Sequence, residues 1–189
     1  MNIIKLTFTA IIVFVCSSST QAQQRSYGQW SAHAYAGLST PKNWAIGIGV
    51  EKNLKLTKGY LSGDFMFFHE KYSIRNHYSK IDSNNAEFIV QYNYTPYSNR
   101  IINLSVGGGI AFGGIFYKTS SVGINPPLKN DFSAGITLNA GIEFKIIQEV
   151  SLYIQPLYIY DFAMNTRKLE LANNSRSKFF ALAGIKYFF

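Results

Sequence analysis

Apolar and polar positions alternate with a period of two from Gln29 to Phe189, and the alternation resolves into eight segments. In the first, Trp30, Ala32, Ala34 and Ala36 share one face, with Ser31, His33, Tyr35 and Gly37 on the other. The second sets Trp44, Ile46, Ile48 and Val50 against Ala45, Gly47, Gly49 and Glu51. Residues 60–70 set Leu61, Phe65 and Phe67 against Ser62, Asp64 and Met66. Residues 85–94 set Phe88, Val90, Tyr92 and Tyr94 against Glu87, Gln91 and Asn93, with Ile89 on the polar side. The pattern continues over 101–113 and is longest over 132–146, where Phe132 to Ile146 oppose Ser133 to Lys145. Residues 150–160 and 178–189 complete the set. Successive side chains of a strand point to opposite faces, so each segment reads as a strand with one apolar face and one polar or small face.

The links between these strands alternate in kind. Short turns are expected at 53–59, 95–100 and 147–149, and longer polar links at 71–84, 117–129 and 161–177, with the brief link 38–43 on the long-loop side. Short turns at one rim and long loops at the other predict an all-β fold, an eight-stranded antiparallel up-and-down transmembrane barrel of outer-membrane type. Aromatic residues are expected to form two girdles at the membrane interfaces: Tyr92, Tyr94 and Tyr187 toward the turns, Trp44, Tyr158 and Tyr160 toward the loops. A soluble sandwich alternates in the same way. Its strands are shorter, and its outer face would not be this continuously apolar. The closing Phe189 resembles the terminal aromatic read by the outer-membrane assembly machinery, which is therefore an expected partner together with outer-membrane lipid.

Composition fits this picture. The 189 residues are 47% hydrophobic and 16% aromatic but only 15% charged, yet mean hydropathy is 0.00. That aromatic content excludes a disordered chain, and after residue 22 no run approaches the roughly 18 apolar residues of a spanning helix. Residues 1–22 read as a secretory signal, with Lys5 before an apolar core ending at Cys16 and cleavage expected after Ala22. Acylation at Cys16 is disfavoured by the branched Val15 before it. The barrel domain is then 23–189, without cysteine, so disulfide, thiolate and Cys-based metal chemistry are excluded from it. The net charge of +8 comes from dispersed Lys and Arg, which suits anionic lipid head groups better than nucleic acid, and no direct nucleic-acid contact is expected.

Eight strands enclose only their own side chains, so no solute channel is predicted. The inward face is expected to carry Glu51, Asp64, Glu70, Glu87, Asn139, Glu143, Lys145 and Lys186, as a carboxylate–lysine network with trapped water. His77 and Ser79 lie two residues apart and could be drawn as a nucleophile and its base, but they sit in a polar loop where both residue types are ordinary. His33 and His69 are not spaced for a metal, and Gly107-Gly108-Gly109 has no following helix to bind phosphate. No catalytic residue, cofactor or metal site is predicted. The tripeptides starting at Asn103 and Asn173 match glycosylation sequons and carry little weight.

Over residues 27–189 the chain resembles the TraO family encoded in conjugative transposons of Bacteroidota. The resemblance rests on Gly37-Leu38-Ser39-Thr40-Pro41-Lys42 after the first strand, Asn130-Asp131-Phe132 entering the sixth, the strand Leu138-Asn139-Ala140-Gly141-Ile142-Glu143-Phe144, and the ending Gly184-Ile185-Lys186-Tyr187-Phe188-Phe189. It implies a non-enzymatic outer-membrane component of a conjugal mating apparatus, with other transfer proteins as partners and no catalytic residues to carry over. The general alternative is a small outer-membrane protein for envelope integrity, adhesion or surface protection, and the remote one a lipid hydrolase.

Overall fold

The computed structural model describes residues 28–39, 43–54, 58–73, 80–118, 130–164 and 177–189. The expected signal segment 1–22 and the His77/Ser79 pair lie outside these residues. Eight strands follow one another: β1 (Trp30–Ser39), β2 (Asn43–Asn53), β3 (Gly59–Ser73), β4 (Lys80–Ser98), β5 (Ile102–Lys118), β6 (Asp131–Lys145), β7 (Val150–Met164) and β8 (Ser177–Phe188). Each pairs antiparallel with its sequence neighbour, and β1 pairs with β8, so the sheet closes on itself. Closure removes both edges, which is what lets a sheet satisfy every backbone N–H and C=O in lipid.

The faces follow the alternation. Ile48, Phe65, Ile110, Ile136, Leu152 and Ile185 point outward and are about half exposed, while the residues between them are buried in the barrel. A soluble sandwich would bury that apolar face against a second sheet; here there is none.

Strand lengths depart from the expectation at the loop rim. β3 runs on to Ser73, β4 already starts at Lys80, β5 reaches Lys118 and β7 reaches Met164, so the three long links are shorter than predicted. Ladder pairing continues there through polar residues on both faces, as in His69↔Asn84 and Lys71↔Asp82. At the turn rim β4 extends through Ser98, past a bulge between Tyr94 and Tyr97 that contains Pro96. Pro156 sits outward on β7, and the β6–β7 ladder skips from Asn139↔Leu157 to Ile142↔Ile154 around it. Proline has no N–H to donate, so a ladder breaks where it sits.

Candidate functional site

The interior holds two charge clusters, one near each rim. At the turn end, Lys186 Nζ lies 2.7 Å from Glu51 Oε2 and 3.0 Å from Glu143 Oε2. Glu143 Oε1 accepts from Asn103 Nδ2 at 3.0 Å and from Ser151 Oγ at 3.1 Å, and Ser31 Oγ donates to Glu51 Oε2 at 3.3 Å. His33 bridges the next level, with Nε2 at 2.5 Å from Asp64 Oδ1 and Nδ1 at 3.8 Å from Glu51 Oε1. Its ring stacks on Tyr35 and meets Tyr153 edge-on. The Lys186 ammonium also lies over the rings of Tyr60 and Tyr153, at 5.1 and 5.2 Å. Few of these charges stand alone, as burial demands.

At the loop end, Lys178 Nζ lies 2.8 Å from Glu87 Oε1 and 2.7 Å from Asp161 Oδ2, and all three side chains are sealed from solvent. Ser133 Oγ donates to Glu87 at 3.3 Å, and Asn85 Nδ2 donates to Glu70 Oε2 at 3.0 Å.

Between the clusters β8, β3 and β7 line the interior with apolar side chains, while on the β4–β6 side Gln91 Nε2 donates to Thr137 Oγ1 at 2.8 Å and Asn139 is buried. On β8, Phe180 and Leu182 separate Lys178 from Lys186; on β3, Met66 and Phe68 separate Asp64 from Glu70; on β7, Leu157 and Ile159 separate Tyr153 from Asp161. The eight residues from Lys178 to Lys186 span about 26 Å of strand, so the clusters do not touch. Phe68 and Phe180 meet edge to face at 5.1 Å in this layer, and Lys178 rests on the Phe68 ring at 4.7 Å. This differs from an interior of polar residues, glycine and paired charges alone. The barrel carries an apolar septum across part of its middle.

Close approach explains two interior glycines. A Cβ on Gly47 would collide with the Tyr35 ring, and one on Gly49 would fall within 2.5 Å of both His33 Nε2 and Asp64 Oδ1. Gly49→Ala is expected to part the His33–Asp64 contact and cost about 1–3 kcal/mol, read as a lower urea midpoint of the detergent-folded barrel.

The predicted site residues fall as follows. Glu51, Asp64, Glu70, Glu87, Asn139, Glu143 and Lys186 are buried inside. Lys145 is the exception: it sits half-exposed at the turn rim, where Nζ donates to the Asn99 carbonyl at 2.9 Å. Strand β6 ends there, so inward parity leads to the rim rather than into the lumen. Trp44, Tyr92, Tyr94, Tyr160 and Tyr187 point outward and are exposed, Tyr158 outward and half-buried, and Phe189 is 65% exposed with its ring stacked on Tyr187. Trp30, also outward, was not predicted as a girdle residue. His69 is outward too, stacked on Trp44 and paired with Asn84 at 3.0 Å. Asn103 is buried against Glu143, so its sequon is out of reach of a glycan.

His33, Asp161 and Lys178 were not singled out as interior charges. Parity would have found the last two, since Asp161 continues the face of Leu157 and Ile159, and Lys178 that of Phe180 and Leu182. Ending strand seven at residue 160 hid Asp161. Among the described residues no group of three or more His, Cys, Asp or Glu is placed to hold a metal ion.

Neisserial surface protein A superposes with a TM-score of 0.61 at 12% identity, covering 85% of this chain and 96% of that one. This is the fold of an outer-membrane barrel. A major outer membrane protein from Thermus thermophilus gives 0.59 at 11% identity, covering 85% and 98%. Ail, the attachment invasion locus protein of Yersinia pestis, solved in complex with the heparin analogue sucrose octasulfate, gives 0.55 at 14%, covering 87% and 100%. The barrel thus spans nearly the full length of these proteins. No protein-family model and no curated protein sequence matches the chain.

Proposed function

We propose that this barrel is a non-enzymatic component of a conjugative mating apparatus, exported to the outer membrane and acting there as a structural or docking element. The septum carries the structural half of the reading. Phe68, Phe180 and their neighbours pack inside the lumen between the two charge clusters, which supports a reading in which function lies at the rims and the outer wall. The transfer half rests on the ordered resemblance to the TraO family, through Gly37 to Lys42, Asn130 to Phe132, Leu138 to Phe144 and Gly184 to Phe189. Outer-membrane lipid, the assembly machinery and other transfer proteins are the partners in this reading.

Deleting the coding sequence from a transfer-competent element is expected to reduce mating to the level of a transfer-deficient control, with recovery on complementation by the full chain. Unchanged mating frequency would remove the transfer role. The second reading, a general envelope or surface protein, draws on the near full-length likeness to Neisserial surface protein A and Ail. It gains if deletion leaves mating intact but sensitises cells to detergent or abolishes adhesion.

A further inference from the structure

The short turns of outer-membrane barrels face the periplasm. Three of them close this rim, before β3, β5 and β7. Neighbouring tips stand two strand spacings apart, about 10 Å. They carry Lys58, Arg100 and Ile147 in that order, and all three side chains are exposed. Ile147 is 57% exposed and lies past the end of β6, where its N–H donates to the Val150 carbonyl at 3.2 Å to close the turn.

The middle tip is held in place by side chains. Asn99 Oδ1 accepts from the N–H groups of Ile101 at 2.8 Å and Ile102 at 2.6 Å, and Asn99 Nδ2 donates to Tyr97 Oη at 2.9 Å. Lys145, from β6, donates Nζ to the Asn99 carbonyl at 2.9 Å and its backbone N–H to the Ile101 carbonyl at 2.8 Å. Arg100 therefore stands on a fixed backbone. Neither its guanidinium nor the Lys58 ammonium meets a carboxylate among the described residues. Among the described residues of this rim, Lys52, Lys58, Arg100 and Lys145 stand against one acid, Glu149.

We infer that the turn rim docks an acidic, extended segment of a periplasmic protein, with carboxylates on Arg100 and Lys58 and an apolar side chain against Ile147. A guanidinium takes a carboxylate through two parallel hydrogen bonds, and a tip already fixed by Asn99 and Lys145 loses little freedom on binding. Carboxylates three residues apart on a polyproline II chain share one face about 9 Å apart, which matches the spacing of Lys58 and Arg100. The rim is far smaller than the roughly 800 Å² that each partner of a standard folded interface covers, so a segment fits it better than a globular face. Anionic lipid head groups could meet the cations but would leave Ile147 in water. A second copy would set the same surplus of cations against itself. The inference rests on the docking reading of the barrel, but it is read by binding rather than by mating, so the two can fail separately.

The test uses the full chain folded in non-ionic detergent and a fluorescent peptide in which Asp-Pro-Pro is repeated and followed by Leu. Wild type is expected to bind it saturably by fluorescence anisotropy, and not the same peptide with Asn in place of Asp. Arg100→Glu is expected to weaken binding roughly tenfold, and Ile147→Ser roughly fivefold. Lys71→Glu, an exposed lysine at the opposite rim, makes the same charge change and should alter nothing. Heat-dependent gel mobility checks that each variant is folded. Absence of saturable binding, or an equal loss in Lys71→Glu and Arg100→Glu, would overturn the site. Full displacement of the peptide by phosphatidylglycerol added to the micelles, with Ile147→Ser indistinguishable from wild type, would assign the rim cations to lipid head groups instead.

Discussion

Replacing Lys186 by Met is expected to destabilise the barrel by about 3–5 kcal/mol, because it strands two buried carboxylates at once. Glu51 and Glu143 each lie within 3.0 Å of its ammonium, and all three residues are less than a tenth exposed. Methionine keeps the length and most of the packing against Tyr60 and Tyr153, so the loss isolates charge from volume. The urea midpoint of the micelle-folded protein measures it. Adding Glu51→Gln and Glu143→Gln to the Lys186→Met variant should restore most of the loss, since no uncompensated charge then remains. A loss below about 1 kcal/mol, the range of exposed pairs, would mean that water reaches the cluster and that the turn-side chamber is open.

Truncating both septum rings, Phe68→Ala with Phe180→Ala, has the second large expected effect. Each change alone removes a fully buried aromatic and should cost about 3–5 kcal/mol. Because the rings touch, the double variant should lose less than the two single losses combined. The functional readout is current across a planar bilayer. The wild-type barrel is expected to hold the baseline, and the double variant to pass a steady, cation-preferring current. That preference follows from the lining: Glu51, Asp64, Glu70, Glu87, Glu143 and Asp161 outnumber Lys178 and Lys186 among the buried residues. If the variant folds but stays silent, the seal lies elsewhere in the lumen.

Strand number, order and face were legible in the sequence because a wall between lipid and lumen imposes opposite chemistry on successive residues. The segment Phe132 to Ile146 displays this without interruption. Strand ends were not legible. Above the membrane both faces of β3 and β4 meet polar surroundings, so Lys71, Asp82 and Asn84 read as a loop while their backbones remain paired. The septum was hidden for the converse reason. Phe65, Met66, Phe67 and Phe68 are apolar on both faces, so periodicity there carries no information about what lies inside. Ile89 on the polar side of its strand was the visible trace of that layer, and it is buried at 1% exposure. His33 was legible as inward-facing but not as a bridge to Asp64, since the partner comes from β3 through a register that closes only in the folded sheet.

The carboxylates inside the barrel also alter how the molecule looks from outside. Among the described residues, six acidic side chains are buried there with only two lysines. The buried set thus carries a formal charge of −4 that is withdrawn from the surface. Folding thus changes the charge that the surroundings meet. The native barrel should bind a cation exchanger in non-ionic detergent more tightly than the same chain unfolded in urea. Its apparent basicity is a property of the fold, and the sequence pI understates it.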